Sequence, residues 1–339
     1  PRSALFTPFA ELGYIIVDEE HETSYKSENV PKFHARDVAV ERGRMTGATV
    51  VLASATPSVD SYYMARNGFY QLVEMKERIS GRTPASVSIV DLRDELRLGN
   101  RSIFSALLRG KMEECLKKGQ QSLLFLNRRG YHGFLSCRAC GEAVKCPNCD
   151  VTLSLHRNGQ MICHYCGFTQ PKVIRCPACA SPYIGGFRVG TEQVEELVHK
   201  SFPGARVLRM DMDTTRGKHG HEQIVEAFAN QEADILIGTQ MIVKGHDFPN
   251  VTLVGILAAD MSLQTGDFRS AERTFQLLTQ AAGRAGRGDL AGEVVIQTYQ
   301  PEHYSIQMAA RQSYEEFYEA EMQFRRTMKY PPAGNVLEI

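Results

Sequence analysis

No charge of either sign prevails in this 339-residue chain, where 39 basic residues stand against 39 acidic ones. A global positive field is thereby excluded, so any grip on nucleic acid must come from local patches. Long hydrophobic runs are missing as well. Nothing approaches the ~18 apolar residues of a membrane span, and the opening PRSALFTPFAELG lacks the basic and apolar regions of a secretory signal. The expected compartment is the cytoplasm, with no membrane partner. Internal repeats and low-complexity tracts do not occur. Nor does G-x-x-x-x-G-K-[ST], since the Gly-Lys pairs at 110–111 and 217–218 are not followed by Ser or Thr; the chain encodes no P-loop. Pro1 in place of Met and the apolar close PPAGNVLEI read as a piece of something longer. The length implies two domains with room for a smaller insert.

What is present begins with cysteine. Eight of the nine form CRAC, CPNC, CHYC and CPAC: Cys137/Cys140, Cys146/Cys149, Cys163/Cys166 and Cys176/Cys179, leaving Cys115 over. A two-residue gap lets a tight turn aim two thiolates at one ion, and two such knuckles complete the tetrahedral shell that zinc favours. Four pairs therefore imply two Zn²⁺. Gly141 and Gly167 directly follow second cysteines, where a permissive backbone lets amides turn toward sulfur. A disulfide framework does not suit a chain without secretory features, and knuckles containing Pro147 and Pro177 look like zinc ribbons more than iron–sulfur ligands. Only five residues separate Cys140 from Cys146, so a nested arrangement is the easier geometry, although spacing alone leaves the pairing open. Between Cys137 and Cys179 five basic residues face two acidic ones. With its thiolates and zinc the segment is close to neutral, suited to recognising a shape, a strand end or a protein more than to gripping phosphates.

Outside the cysteines, periodicity predicts α/β alternation. GYIIVDEEH reads as a strand, 32–45 as a helix, ATVVLASATPS as strand and loop, SVDSYYMARN as a helix and 86–95 as one more strand closing the first domain. The segment 103–119 reads as an amphipathic helix and QSLLFLNRRG as a buried strand. After the cysteines come helix 191–201, strand ARVLRMD, helix 221–230, strands ADILIGT and VTLVGIL, helix 270–282, strand GEVVIQTY and a final helix over roughly 302–328.

The stretch GYIIVDEEHETSYK carries the chemistry. An apolar strand that delivers acids to a sheet edge has Walker B geometry, because ligands of open parallel sheets bind beyond the carboxyl ends of strands. Asp18 is expected to hold the Mg²⁺ shell and Glu19 to orient and deprotonate an attacking water, with Glu20 and His21 completing the acid motif. SATPS (54–58), GTQMIVKGHDFPNV (238–251) and QAAGRAGRG (280–288), in that order, resemble the third, fifth and sixth motifs of the superfamily 2 helicases. Arg284 and Arg287 are three residues apart, so one helical turn is expected to point both guanidiniums at a γ-phosphate.

RSALFTPFAELGYIIVDEEHETSYK, the SATPS strand, LNRRGY leading into four C-x-x-C pairs, and GTQMIVKGHDFPNV resemble, more closely, the primosomal protein N′ family of bacterial replication-restart helicases, over essentially the whole chain. The resemblance implies two RecA-like parallel-sheet lobes, the first only partly present, with a double zinc ribbon inserted in the second. It places lobe 1 at 1–95, the start of lobe 2 at 96–136, the zinc insert at 137–180, the rest of lobe 2 at 181–300 and a helix leading into a C-terminal domain at 301–339. It implies an ATP-dependent 3′-to-5′ DNA helicase that recognises stalled forks and D-loops and promotes reloading of the replicative helicase. ATP, Mg²⁺ and two Zn²⁺ are its cofactors; single strands, single-strand DNA-binding protein and other primosome proteins are its partners. One zinc falls to Cys137, Cys140, Cys176 and Cys179, the other to Cys146, Cys149, Cys163 and Cys166. Nucleotide contacts fall to Asp18, Gly238, Thr239, Asp247, Gln280, Arg284 and Arg287. The family carries an aromatic-rich loop after its acid motif, which here offers Tyr25, Lys26, Phe33, His34 and Arg36 to DNA. Without a phosphate loop, turnover is expected of the longer protein and not of this piece. A zinc-ribbon docking scaffold and a double-strand translocase that does not unwind are the rival readings.

Overall fold

The computed structural model describes residues 2–75, 84–126, 133–148, 152–156, 158–164, 166–185, 189–215, 220–243, 247–264, 267–288 and 290–335. It divides into two compact units, one of Pro1–Lys76 with Glu321–Ile339, the other of Glu77–Ala320.

In the first unit, β1 (Tyr14–Asp18), α1 (Ala35–Thr46), β2 (Thr49–Ala53) and α2 (Val59–Arg66) follow in order. The strands pair in parallel, Tyr14 with Thr49 through Asp18 with Ala53. Alternation along β1 turns Ile15 and Val17 toward Ala39 of the crossover helix, while Tyr14 and Ile16 stay exposed. α1 begins at Ala35 because His34 takes the N-cap, its Nδ1 accepting from the Arg36 amide, and ends at Gly47 in the left-handed region. Ser58 caps α2 by accepting from the Ser61 amide.

The second unit opens with β3 (Ser86–Asp91), α3 (Leu92–Arg97), α4 (Ala106–Lys117) and β4 (Gln121–Leu126). An insert follows: β5 (Ser136–Cys137), β6 (Ser154–Leu155), β7 (Gln160–Ile162), β8 (Thr169–Pro171) and β9 (Ile184–Gly185). Then come α5 (Thr191–Ser201), β10 (Val207–Met210), α6 (Gly220–Ala229), β11 (Ile235–Gly238), β12 (Val251–Leu257), α7 (Ser270–Ala282), β13 (Glu293–Thr298), α8 (Tyr304–Arg311) and α9 (Tyr314–Met328), whose residues from Glu321 onward are counted with the first unit. Six strands form one sheet in the order β10-β11-β4-β12-β13-β3, every pair parallel. β4 is buried along its whole length, as a central strand covered on both faces must be. Leu108 and Met112 of α4 and Val194 and Val198 of α5 pack on Leu124, Leu126, Ile235, Ile237 and Leu253. Each such side chain contributes roughly 1.5–3 kcal/mol by leaving water.

Two expectations change. The strand at 86–95 ends at Asp91 and runs into α3, and it pairs with β13, so it belongs to the second unit and not to the first lobe. Its partner lies some 200 residues onward, beyond the reach of a local pattern. The last helix breaks in two, because Gln312 adopts φ 54° and closes α8 before α9 begins.

Candidate functional site

The acid loop sits where β1 ends. Asp18 Oδ1 accepts from the Glu19 amide at 3.0 Å, and Glu19 takes φ 49°, a left-handed conformation that costs a non-glycine residue about 1 kcal/mol. The turn leaves the Glu19 side chain half-exposed. His21 is buried beside it, with Nδ1 2.6 Å from Ser54 Oγ and 3.4 Å from Glu19 Oε2. Ser54 Oγ also accepts from the Thr56 amide at 3.0 Å. The acid motif and SATPS are thus joined by a histidine–serine hydrogen bond.

Glu20 departs from its expected role. Its carboxylate is 1 % exposed and accepts from the Ser58 amide, Ser58 Oγ at 3.1 Å, Ser61 Oγ at 2.9 Å and Arg36 Nη1 at 3.0 Å. Arg36 also donates to Ser58 Oγ and Ser61 Oγ. Burial alone would lower the Arg36 pKa, but the adjacent Glu20 carboxylate raises it. Removing either partner would strand a buried charge, at a cost of about 3–5 kcal/mol. Glu20 is an internal anchor, and the Arg36 guanidinium is turned inward toward it.

The other loop residues divide. The Tyr25 hydroxyl donates to the Asp18 carbonyl at 2.7 Å, its pKa raised by burial and then by the charge of Asp18. Lys26 is exposed, its backbone bridged to His34, which serves as the cap of α1. Phe33 is half-buried, with its ring edge-on to Phe6 at 5.3 Å. Sequence reasoning missed Arg2, which donates to the Ser24 and Lys26 carbonyls at 3.0 and 2.8 Å, and Arg42, which reaches the Leu5 and Thr7 carbonyls. Both act across more than twenty residues, so no local pattern marks them. Ser58 had a signal, a serine just ahead of a helix.

In the second unit, Gly238 closes β11 so tightly that a Cβ there would lie 2.4 Å from Ile242 Cγ2 and 2.6 Å from the Met210 carbonyl. The Thr239 carbonyl accepts from the Ile242 amide. Asp247 is exposed, with Oδ1 3.8 Å from Arg287 Nη1; Lys244 to His246 lie outside the described residues. Gln280 lies half-buried in the last turn of α7. Arg284 and Arg287 do not share a helical turn as expected, because α7 stops at Ala282 and the chain turns through 283–286. Gly286 has φ 70°, and a Cβ there would meet the Gly292 amide nitrogen at 2.5 Å; at Gly288 it would meet the Pro249 carbonyl at 2.3 Å. These glycines let the arginine turn lie against two other backbones, and Arg287 Nε donates to the Gly283 carbonyl at 2.9 Å.

The insert gathers Cys137, Cys140, Cys176 and Cys179 in one cluster and Cys146, Cys163 and Cys166 in another; Cys149 lies outside the described residues. Sulfurs stand 3.6 Å apart for Cys137 and Cys179, 3.7 Å for Cys140 and Cys176, and 3.6 Å for Cys146 and Cys166. A tetrahedral Zn–S₄ shell sets that edge at about 3.8 Å, whereas a disulfide needs about 2.05 Å. The donors fit zinc. Three knuckles share one turn, in which the amides of Gly141, Gly167 and Ala180 donate to the carbonyls of Cys137, Cys163 and Cys176, each with positive φ. A small core of Leu135, Val144, Leu153 and Met161 packs with Cys146 and Cys163 of the second cluster. Gly141 lies against the Tyr299 carbonyl, and Thr152 donates to Gln264 at 3.0 Å, which seats the insert beyond the carboxyl ends of β13 and β12.

A parallel sheet with an acid loop, an arginine turn and a Cys₄ insert defines a helicase-type α/β chain that binds zinc. Residues 186–289 match the model of the helicase conserved C-terminal domain, and 146–171 match that of the PriA DNA helicase Cys-rich region domain. The replication restart protein PriA of Bacillus subtilis is 54 % identical over 98 % of this chain and 41 % of its own length, and that of Synechocystis 47 % over 99 % and 42 %. Over the residues it spans, the chain belongs to the PriA family. It covers less than half the length of these relatives. A solved structure of a leucine-to-valine variant of S. cerevisiae Dbp5 bound to RNA and ADP BeF3 aligns over 95 % of this chain and 64 % of its own, with TM-score 0.44 and 11 % identity, too loose a likeness to bear on function. Among the described residues no helix is long and apolar enough to cross a membrane.

Proposed function

We propose that this chain forms part of an ATP-driven DNA motor of replication restart, unwinding DNA 3′ to 5′ at stalled forks and D-loops in the cytoplasm, with single-strand DNA-binding protein and other primosome proteins as partners. The observation that carries the reading is the tie between acid motif and SATPS, Glu19 held half-exposed beside a histidine that is itself fixed to Ser54. A solvated acidic strand end would need no such support. Asp18 is the residue that would hold Mg²⁺, which when bound neutralises phosphate charge. Glu19 orients the attacking water and takes its proton, and His21 fixes the direction of that carboxylate. Arg284 and Arg287 supply positive charge to the γ-phosphate. Glu20 has no part in this chemistry. No phosphate cradle is encoded in these residues, so activity belongs to the full-length protein.

The test is ATP hydrolysis by the full-length protein with and without forked DNA, beside Glu19→Gln and Arg287→Ala. We expect DNA-stimulated turnover that drops by about 10³-fold or more in Glu19→Gln while ATP still binds. Hydrolysis retained in Glu19→Gln would remove Glu19 as the base, and no hydrolysis by either the full-length wild type or its variants would transfer the reading to the docking scaffold.

A further inference from the structure

Two histidines of the insert meet on its surface. His156 directly follows β6 and His164 lies inside the Cys163–Cys166 knuckle. Their Nε2 atoms are 3.4 Å apart, with ring centroids separated by 5.2 Å and ring planes inclined at 57°. The backbone fixes both. The His156 amide donates to the Gln160 carbonyl at 2.8 Å, and its carbonyl accepts from the Gly159 amide at 3.1 Å, which closes the turn from β6 to β7. Next to His164, the Cys163 amide donates to the Phe168 carbonyl at 2.8 Å, and the Cys163 side chain is buried with Leu153 and Met161. His156 is half-buried and His164 exposed, so the point where the rings converge is open to solvent on one side.

Two ring nitrogens that face each other need a proton or a cation between them. At 3.4 Å the pair is wider than the ~2.7–3.2 Å usual for an N–H donor, and a linear N–H···N bond of that length would hold the centroids about 5.8 Å apart. A shared ion fits both separations. Zn–N bonds of about 2.0–2.1 Å set the edge of a tetrahedron at about 3.3–3.4 Å. Adding the roughly 1.2 Å from Nε2 to the centre of its ring puts the centroids about 5.2–5.4 Å apart in the same tetrahedron. We infer that His156 and His164 form a further metal site, distinct from the cysteine clusters, which takes a divalent transition ion such as Zn²⁺ between the two Nε2 atoms. The remaining coordination positions face solvent and are filled by water, so this ion exchanges, unlike one enclosed by four thiolates. Neutral imidazoles cancel none of its charge. The site therefore fills after the cysteine clusters, and its occupancy adds two positive charges to an insert that is otherwise close to neutral.

The test uses the full-length protein, purified with its thiolate-bound zinc and freed of excess metal, and reads the Zn²⁺ taken up per chain by equilibrium dialysis. His156→Asn and His164→Asn each remove one ligand. We expect either variant to take up one ion fewer per chain than the wild type while the zinc held by the cysteines stays in place. Because His164 lies within a knuckle, His156→Asn, whose position is outside both cysteine clusters, decides the result if His164→Asn disturbs its neighbours. His156→Cys supplies a different metal ligand at the same place and is expected to restore uptake. Equal uptake by wild type and His156→Asn would overturn the site and leave a hydrogen-bonded histidine pair. Uptake lost in His156→Asn and not regained in His156→Cys would overturn it as well, by making His156 a support of the knuckle and not a ligand.

Discussion

The six-stranded sheet and the cysteine insert lie within one compact unit and hold their shapes by different means. β4 buries six successive residues between neighbouring strands and helices, and nothing in that core needs a ligand. The insert has strands of two or three residues and a core of a few side chains, too little to offset the conformational entropy of its turns. Sulfurs 3.6–3.7 Å apart supply what apolar burial does not. The lesson is one of independence: a segment stabilised by metal can be inserted between β4 and α5 without asking anything of the sheet.

The sharpest way to break that comparison is to take the metal away. Apparent binding energies of structural zinc run to about 10 kcal/mol or more, and in so small a segment they are folding energy. Chelation at neutral pH is expected to make residues 133–185 accessible to protease while the sheet keeps its unfolding midpoint in urea. Cys137→Ser is expected to empty one cluster and leave the other loaded, as measured by zinc content per chain. A sheet that melts with the insert would show that the two are one cooperative structure, joined through Gly141 and Tyr299.

The converse cut is Leu124→Ala in β4. Leu124 is fully buried between α4 and α5, and its truncation costs about 2–5 kcal/mol. The urea midpoint is expected to fall by that amount, with zinc content unchanged at denaturant concentrations where the sheet stays folded. Loss of zinc ahead of sheet unfolding would mean that the insert draws its stability from β4 after all.

How much of this was legible beforehand follows the same divide. Local signals read well: alternation gave β1, apolar runs gave β4, β11 and β12, and the C-x-x-C spacing gave the knuckles with glycine after the second cysteine. The sequence could not show that Ser86–Asp91 joins β13, since parallel pairing across some 200 residues leaves no local trace. It offered Arg36 to DNA through the aromatic-rich loop that the family resemblance implies; only the fold reveals that its guanidinium bonds a buried carboxylate 16 residues upstream. The arginine pair misled for a related reason. A three-residue spacing implies one helical turn only if the helix continues, and here it stops at Ala282 in a turn where Gly286, with φ 70°, lies against the backbone of Gly292 outside the motif.

Acid sharpens the comparison with the smallest effect. His303 caps α8, its Nδ1 accepting from the Ser305 amide at 3.3 Å with Ser305 Oγ 2.8 Å away, and burial pushes its pKa down to about 4 from an ordinary 6.5. The cap needs a neutral ring. Between pH 6.5 and about 4 the unfolded chain binds a proton that the folded chain refuses, so stability rises with pH across that window. The contribution is complete above 6.5 and is lost progressively as pH falls toward 4, by about 3 kcal/mol at most. His303→Asn retains a capping oxygen and removes the titration. Urea midpoints of the variant are expected to change less between pH 7 and pH 4.5 than those of the wild type, while the pH at which zinc is released stays the same, because thiolate protonation governs that release. An unchanged pH slope in the variant would remove His303 from the acid limb and leave the carboxylates of the sheet to account for it.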